Sequence, residues 1–424
     1  MNTKTSRLFL CIFLMFGCRL YARPDSTLFP LSKSLEPNVR FWISIFTQYS
    51  SAQYLVFDAG NVDRIYEILD SKKLFPGGEP TPKIKESILK AEHEKMVRRL
   101  KRLGERDIQN QTLSKEDLKL ISLFGDSVKP EEVRKAAERV RLQHGILEQF
   151  RDGLVKSGRY LDSLKSIFSR SGLPEELIYL PHVESSFNPY AGSKAGAIGM
   201  WQFVGSTGKK FLRIDDKIDE RRDPYLSSLA AARLLKLGYD TLHSWPLAIT
   251  AYNHGLLGVR KIVKELNTKD LGEMVTRYES KPFGFASKNF YAEFLAAVQV
   301  AQHSSDYFNG IVMDSCWSFK TIELPLEMQA GPIRRALQVN DSILQALNPS
   351  LNPSVLEGKN NIPLGFLLRI PVDADERAVF EMWVSEGLLP RGAYLAWCHG
   401  MEKTIFRYVD EIPFFISTRK DRRG

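Results

Sequence analysis

The chain has 424 residues, 43% of them hydrophobic, and a net charge of +9. That length and apolar content allow a large buried core and two or three domains. The positive surplus suits an anionic wall or membrane surface, and it is spread too thinly to mark a nucleic-acid-binding protein.

The N-terminus reads as a targeting segment. Lys4 and Arg7 precede the apolar run Leu8 to Gly17, which is short for a bilayer span and fits a signal-peptide core. Two processing routes stay open: cleavage after Leu20-Tyr21-Ala22, or a loose lipobox from Leu14 to Cys18 in which Cys18 carries lipid. Either route places the mature chain outside the cytoplasm, in the periplasm, with an outer-membrane anchor if Cys18 is lipidated. Loss of residues 1–22 removes Lys4, Arg7 and Arg19 and leaves a charge of +6. Cys316 and Cys398 then remain, able to pair in an oxidising compartment or to stay as separate buried thiols. No metal-ligand spacing appears among Cys and His.

From about Phe41 to Arg170 the pattern predicts helices. Thr81-Pro82 and Lys129-Pro130 place proline where a helix begins, and Ser114 to Asp117 resembles a capping box. Leu142, Ile146, Leu147, Phe150 and Leu154 recur at helical spacing, as do Ile84, Ile88, Met96, Leu100 and Leu103. Arg98, Arg99, Lys101 and Arg102 read as the solvated face of the second stripe. Phe75 to Lys83, rich in Gly and Pro, reads as a loop.

The section from Gly172 to Asn309 carries the chemistry. Leu173-Pro174-Glu175-Glu176 starts a helix whose last turn presents Glu184, and Ser185 to Ile214 contains no Asp or Glu. Local acid/base work therefore falls to one carboxyl. Trp245-Pro246 starts a second helix that ends near Gly255 and delivers Tyr252 and Asn253. Phe283 to Tyr291 reads as a wall of the same groove. Trp201 and Trp245 read as core aromatics, and Gly196 and Gly199 as a tight loop that lets a polymer backbone approach closely.

Several ordered blocks carry a resemblance: Glu184-Ser185-Ser186-Phe187, then Ala191, Ser193, Gly196-Ala197, Gly199-Met200-Trp201-Gln202-Phe203, and Ala251-Tyr252-Asn253-His254-Gly255. They resemble the lytic murein transglycosylase family, whose catalytic domain is goose-lysozyme-like. Trp201-Gln202-Phe203 and Asp219 to Pro224 are most similar to its membrane-bound D branch. The resemblance covers roughly a third of the chain. It implies that Glu184 is the catalytic acid/base and that Ser185, Ser193, Gln202, Tyr252 and Asn253 line the substrate site, with peptidoglycan glycan strands as the partner and no metal or cofactor. His254 departs from the family, which often has Ala there.

The implied reaction explains why one carboxyl suffices. A hydrolytic glycosidase uses two, set roughly 5 to 9 Å apart. A muramic acid unit can instead attack with its own C6 hydroxyl, giving a 1,6-anhydro sugar without water. Two alternatives stay open: a muramidase or chitinase-type hydrolase, with its second acid among Asp219, Glu220 and Asp223, and a catalytically silent wall-binding protein. The alternation of those acids with Arg221 and Arg222 favours internal ion pairs instead.

After Asn309, Thr321 to Leu324 reads as a strand, Asp341 to Leu347 as a capped helix and Leu367 to Pro371 as a second strand. That order is similar to a degenerate LysM peptidoglycan-binding module. The expected protein is thus mainly α: a leader at 1–22, an N-terminal helical region at 36–171, a lysozyme-like catalytic domain at 172–310, a small α/β LysM-like module at 317–372 and a tail at 373–424.

Overall fold

The computed structural model describes residues 27–105, 113–125 and 128–390. The expectations for the leader, Cys18, Cys398 and the basic end Arg419 to Arg423 lie outside the described residues. The chain is mainly helical, with three small antiparallel sheets among the described residues. Proline opens the helices Pro82–Gly104, Pro130–Ala136 and Trp245–His254, where its fixed φ and missing N–H cost nothing. Ser114 Oγ accepts from the Asp117 amide at 3.1 Å, the expected cap.

The N-terminal section departs from an all-helical reading. Strands β1 (Gln53–Asp58), β2 (Asn61–Asp70) and β3 (Val140–His144) form a sheet in the order β2-β1-β3. The central strand carries Tyr54, Leu55, Val56 and Phe57, all buried, and this aromatic and β-branched run suits a strand covered on both faces. Leu142 therefore lies on β3 and does not belong to the helical stripe of Phe150 and Leu154. Fully buried Asp58 ties the hairpin together: it accepts from Gly60 N, Arg64 Nη1 and Arg139 Nε at 2.8–2.9 Å. The basic stripe is also partly corrected, because Arg99 and Arg102 clamp buried Asp117.

The helix Phe285–Gln302 is the axis of the middle section. The helices Glu36–Thr47, Trp245–His254 and Leu180–Glu184 all pack on it. Asn289 on this axis accepts from Asn38 Nδ2 at 2.8 Å and Trp42 Nε1 at 3.1 Å. One apolar cluster runs from Phe29 and Trp42 through Phe150 and Phe168 to Trp201 and Phe294. The first described helix is thus built into the core of the middle section, each buried aromatic adding about 1.5–3 kcal/mol.

In the C-terminal section β6 (Phe319–Glu323) pairs antiparallel with β7 (Leu367–Pro371), and the helices Ala330–Leu337 and Asp341–Leu347 lie between them in sequence. The helix Glu376–Ser385, which the sequence reading leaves in the tail, adds Val379, Phe380 and Trp383 to this core. The section is docked by polar contacts. Arg369 grips Asp223 at 2.5 and 3.0 Å, the Asp219 amide donates to Ser350 O at 2.8 Å, and Tyr190 Oη donates to Gln345 O at 3.1 Å.

Asp223 also accepts from Tyr225 N and Leu226 N, so it caps the helix Pro224–Leu242 while it pairs with Arg369. Both partners are buried, at 7% and 3% side-chain exposure. Removing the cation strands a buried carboxylate. Arg369→Ala is expected to destabilise the protein by about 3–5 kcal/mol, against under ~0.5 kcal/mol for Arg377→Ala in an exposed pair. Denaturant unfolding of the two variants checks this, and equal losses would contradict it.

Candidate active site

Glu184 is the last residue of the helix Leu180–Glu184, which continues a 3-10 turn at Glu175–Tyr179. The chain then reverses sharply. Ser186 and Phe187 hold φ of 51° and 56°, the left-handed region that non-glycine residues seldom occupy, and Phe187 N closes back on Pro181 O at 3.2 Å. Fully buried Phe187 anchors the turn against His182, with ring centroids 4.5 Å apart. Helix Leu147–Ser157 backs it through Gly153, where a Cβ would lie 2.9 Å from that of Ser186.

The next loop is fastened to this turn. Ser185 Oγ donates to Met200 O at 2.8 Å, and β4 (Ala197–Ile198) pairs with β5 (Phe203–Val204). Gly199 has φ +86°, and a Cβ there would sit 1.8 Å from Arg221 O, so no other residue fits. Buried Arg221, paired with Asp219 at 2.7 Å, donates Nη1 to Gly196 O and Phe203 O at 3.2 Å. The acid-rich segment therefore braces the loop from behind. Glu220 accepts from Arg213 N at 2.6 Å and Asp223 is held by Arg369, so all three of these acids are engaged in structure.

The site residues read from the sequence fall around the same loop pair. Gln202, with φ 50°, donates Nε2 to Gly199 O at 2.9 Å and is half-buried. Ser193 is exposed, its Oγ accepting from Ala197 N at 3.0 Å. Tyr252 Oη donates to Trp201 O at 2.9 Å, which brings the second helix onto the loop. Asn253 is exposed, and its Oδ1 accepts from Ser287 Oγ at 3.1 Å, tying that helix to the axis helix. His254 meets the same Ser287 Oγ at 3.1 Å and stands against Phe283. Ser185 is buried with its hydroxyl engaged. Trp201 and Trp245 are core aromatics, stacked on Phe168 and Tyr239.

The electrostatics single out Glu184. It forms no salt bridge or hydrogen bond with another described residue through its carboxyl, and the residue is partly accessible. Burial first, and repulsion from Glu293 second, push its pKa from 4.5 to about 8. Burial alone pushes Glu293 to about 8. Burial and then the nearby Glu184 charge raise the Tyr252 phenol well above its usual range. Sequence reasoning missed Glu293, because it stands over a hundred residues from Glu184. The one available signal was a lone acid in the apolar run Phe290 to Val300.

Residues 166–274 match the family model described as Transglycosylase SLT domain, and this stretch of the chain is a domain of that kind. Over 210 residues the chain is 26% identical to membrane-bound lytic murein transglycosylase D of Escherichia coli (strain K12), a match covering 48% of this chain and 45% of that protein. Over 124 residues it is 32% identical to membrane-bound lytic murein transglycosylase C of Histophilus somni (strain 2336), covering 26% of this chain and 34% of that one. The chain thus spans less than half the length of either relative.

Two opposed pH dependences of stability follow. Between pH 4.5 and about 8 the unfolded chain releases the Glu184 proton while the folded chain keeps it, so stability falls as pH rises through that window. Glu184→Gln is expected to be more stable than the parent by on the order of 3 kcal/mol above pH 8, with no gain below pH 4.5. Denaturant unfolding at both ends of the window checks it. A pH-independent gain would contradict the assignment.

His182 acts at the acid end. It is buried between Phe150 and Phe187 with neither ring nitrogen hydrogen-bonded, and burial lowers its pKa from 6.5 to about 3. As pH falls from 6.5 the unfolded chain takes up a proton that the folded chain refuses, costing on the order of 4 kcal/mol by pH 3. His182→Phe should flatten that acid limb in a Tm-against-pH series, and an unchanged limb would count against it.

Proposed function

We propose that this chain is a lytic transglycosylase that cleaves the β-1,4 bond between N-acetylmuramic acid and N-acetylglucosamine in peptidoglycan, leaving 1,6-anhydromuramic acid ends. The observation that carries this reading is the Glu184 carboxyl, desolvated and without a counter-charge at the mouth of a braced loop, inside a matched SLT stretch. Such a carboxyl is neutral at pH 7 and can donate a proton.

In this reading Glu184 protonates the glycosidic oxygen as the C1–O bond breaks. The C6 hydroxyl oxygen of the same muramic acid attacks C1, and its proton passes to the Glu184 carboxylate. Atoms balance without water, and the chemistry as written needs no metal or cofactor. Exposed Ser193 and Asn253 and half-buried Gln202 are assigned to the glycan. Ser185 acts as a strut between Glu184 and Met200, and Tyr252 fixes the loop through Trp201 O while facing Glu184.

The substrate would place the protein in the cell envelope, in keeping with the names of its relatives. Among the described residues no helix is long and apolar enough to cross a membrane; lipidation of Cys18, one of the two processing routes open in the sequence, would supply an anchor. The section docked behind the loop, a strand pair enclosing in sequence the helices Ala330–Leu337 and Asp341–Leu347 and the short turn of helix Pro353–Leu356, suits a LysM-like wall contact. One observation favours the hydrolytic alternative: Glu293 gives Glu184 a second carboxyl close by. A hydrolase would need Glu293 to activate water.

The variants separate the roles. Glu184→Gln should lower turnover of purified peptidoglycan by about 10³-fold or more, and Tyr252→Phe by about tenfold, with released muropeptides quantified by mass spectrometry. Near-parent activity in Glu184→Gln would overturn the assignment.

A further inference from the structure

Ser287 lies in the first turn of the axis helix and is buried, and its hydroxyl meets two side chains at the end of the helix Trp245–His254. It donates to Asn253 Oδ1 at 3.1 Å and stands 3.1 Å from His254 Nδ1. A hydroxyl carries one proton, so the contact with the imidazole runs the other way. His254 Nδ1–H donates to Ser287 Oγ, and Ser287 Oγ–H donates to Asn253 Oδ1. Burial holds the imidazole below its usual range, so the ring is neutral at pH 7 and its single proton is the one on Nδ1.

The ring is held from two further sides. It stands edge-on to buried Phe283, with centroids 5.0 Å apart and planes at 80°. Gly258, on the helix Leu256–Leu266, leaves the room that the ring occupies: a Cβ there would lie 2.7 Å from both Cδ2 and Nε2. Asn253, by contrast, is exposed, and its amide nitrogen meets no other described residue. With Oδ1 turned inward to Ser287, the two donors of Nδ2 are what the side chain offers a ligand. An alanine in place of His254 would leave no side chain there to donate to Ser287, and the serine could then serve either end of the Asn253 amide.

We propose that His254 is a positioning residue for Asn253: acting through Ser287, it fixes the polarity of the Asn253 amide so that Nδ2 donates to an acceptor oxygen of the glycan. This rests on the reading above in which Asn253 contacts the glycan. Reversing the relay requires the Nε2–H tautomer, with Ser287 donating to Nδ1 and Asn253 Nδ2 donating to Ser287. Asn253 would then offer a carbonyl, which repels the N-acetyl and carboxylate oxygens of the wall. The relay thereby selects acceptor groups on the sugar at this point. No proton is transferred and no bond breaks; the contribution is orientation set before the substrate arrives.

The first test is the tautomer. Nitrogen NMR of the full chain labelled at histidine, with the His254 signals assigned by their loss in His254→Ala, is expected to show protonated Nδ1 and unprotonated Nε2 at about pH 8. Protonated Nε2, or an even mixture, would overturn the proposal. The second test is binding of a soluble peptidoglycan tetrasaccharide to the Glu184→Gln chain, read by calorimetry. His254→Ala and Asn253→Ala are each expected to weaken binding by about threefold to tenfold, the range of one neutral hydrogen bond, and the double variant no further than Asn253→Ala alone. Gly258→Ala displaces the ring without removing a hydrogen-bonding atom, and alanine suits its helix, so it should match His254→Ala. Additive losses in the double variant, or undiminished binding in Gly258→Ala, would overturn the proposal. Neither test requires turnover, so an upheld relay in a chain that releases reducing-end products would overturn the transglycosylase reading instead.

Discussion

A partly buried carboxyl group with no cation paired to it among the described residues is the constraint on which the proposed chemistry depends. In solution Glu184 would be ionised at pH 7 and useless as an acid. Here burial raises it to about 8, and the neighbouring Glu293 adds to the effect. The protein bears the cost in stability at neutral pH, as strained or desolvated sites commonly do. That cost is tolerable because the shared core from Phe29 to Phe294 is large, and because the groups around Glu184 are themselves tightly held.

That holding is layered. The turn after Glu184 is kept left-handed by Phe187 packing on His182 and by closure onto Pro181. Ser185 fastens the turn to Met200, and Arg221 fastens the Met200 loop from the rear through Gly196 and Phe203. Asp219 holds Arg221 and donates its own amide to Ser350, while Asp223 is gripped by Arg369. The C-terminal section is thus continuous with the loop that faces the groove. Disturbing Arg369 should be felt at the loop through a few rigid contacts, a physical route that needs no flexible linker.

Much of this was legible in the sequence because the signals were local. Proline at helix starts, the Ser114 cap, the helix that ends at Glu184 and the one that carries Tyr252 all depend on neighbours a few residues away, and the structure has them there. The strand-helix-strand order after Asn309 was readable for the same reason. The N-terminal sheet was not. Gln53–Asp58 is a short apolar run that suits helix or strand equally, and its choice is set by β3, some eighty residues away.

The site divided along the same line. Glu184, Ser193, Gln202 and Tyr252 were read from ordered blocks, and the ion pairing of Asp219 was expected from its alternation with arginine. Glu293 was not found, because its meaning comes from the packing of two helices distant in sequence. The buried role of Ser185 was hidden likewise, since its partner Met200 lies across the loop.

In the proposed reaction Glu184 works with the C6 hydroxyl of its own substrate and not with water. The most direct measurement is a digest of purified peptidoglycan by the mature chain in water enriched in oxygen-18, with products weighed by mass spectrometry. Muropeptides one water lighter than reducing ends and free of the heavy isotope are expected. Reducing ends that carry one oxygen-18 would contradict that reaction and make Glu184 and Glu293 the acid and base of a hydrolase.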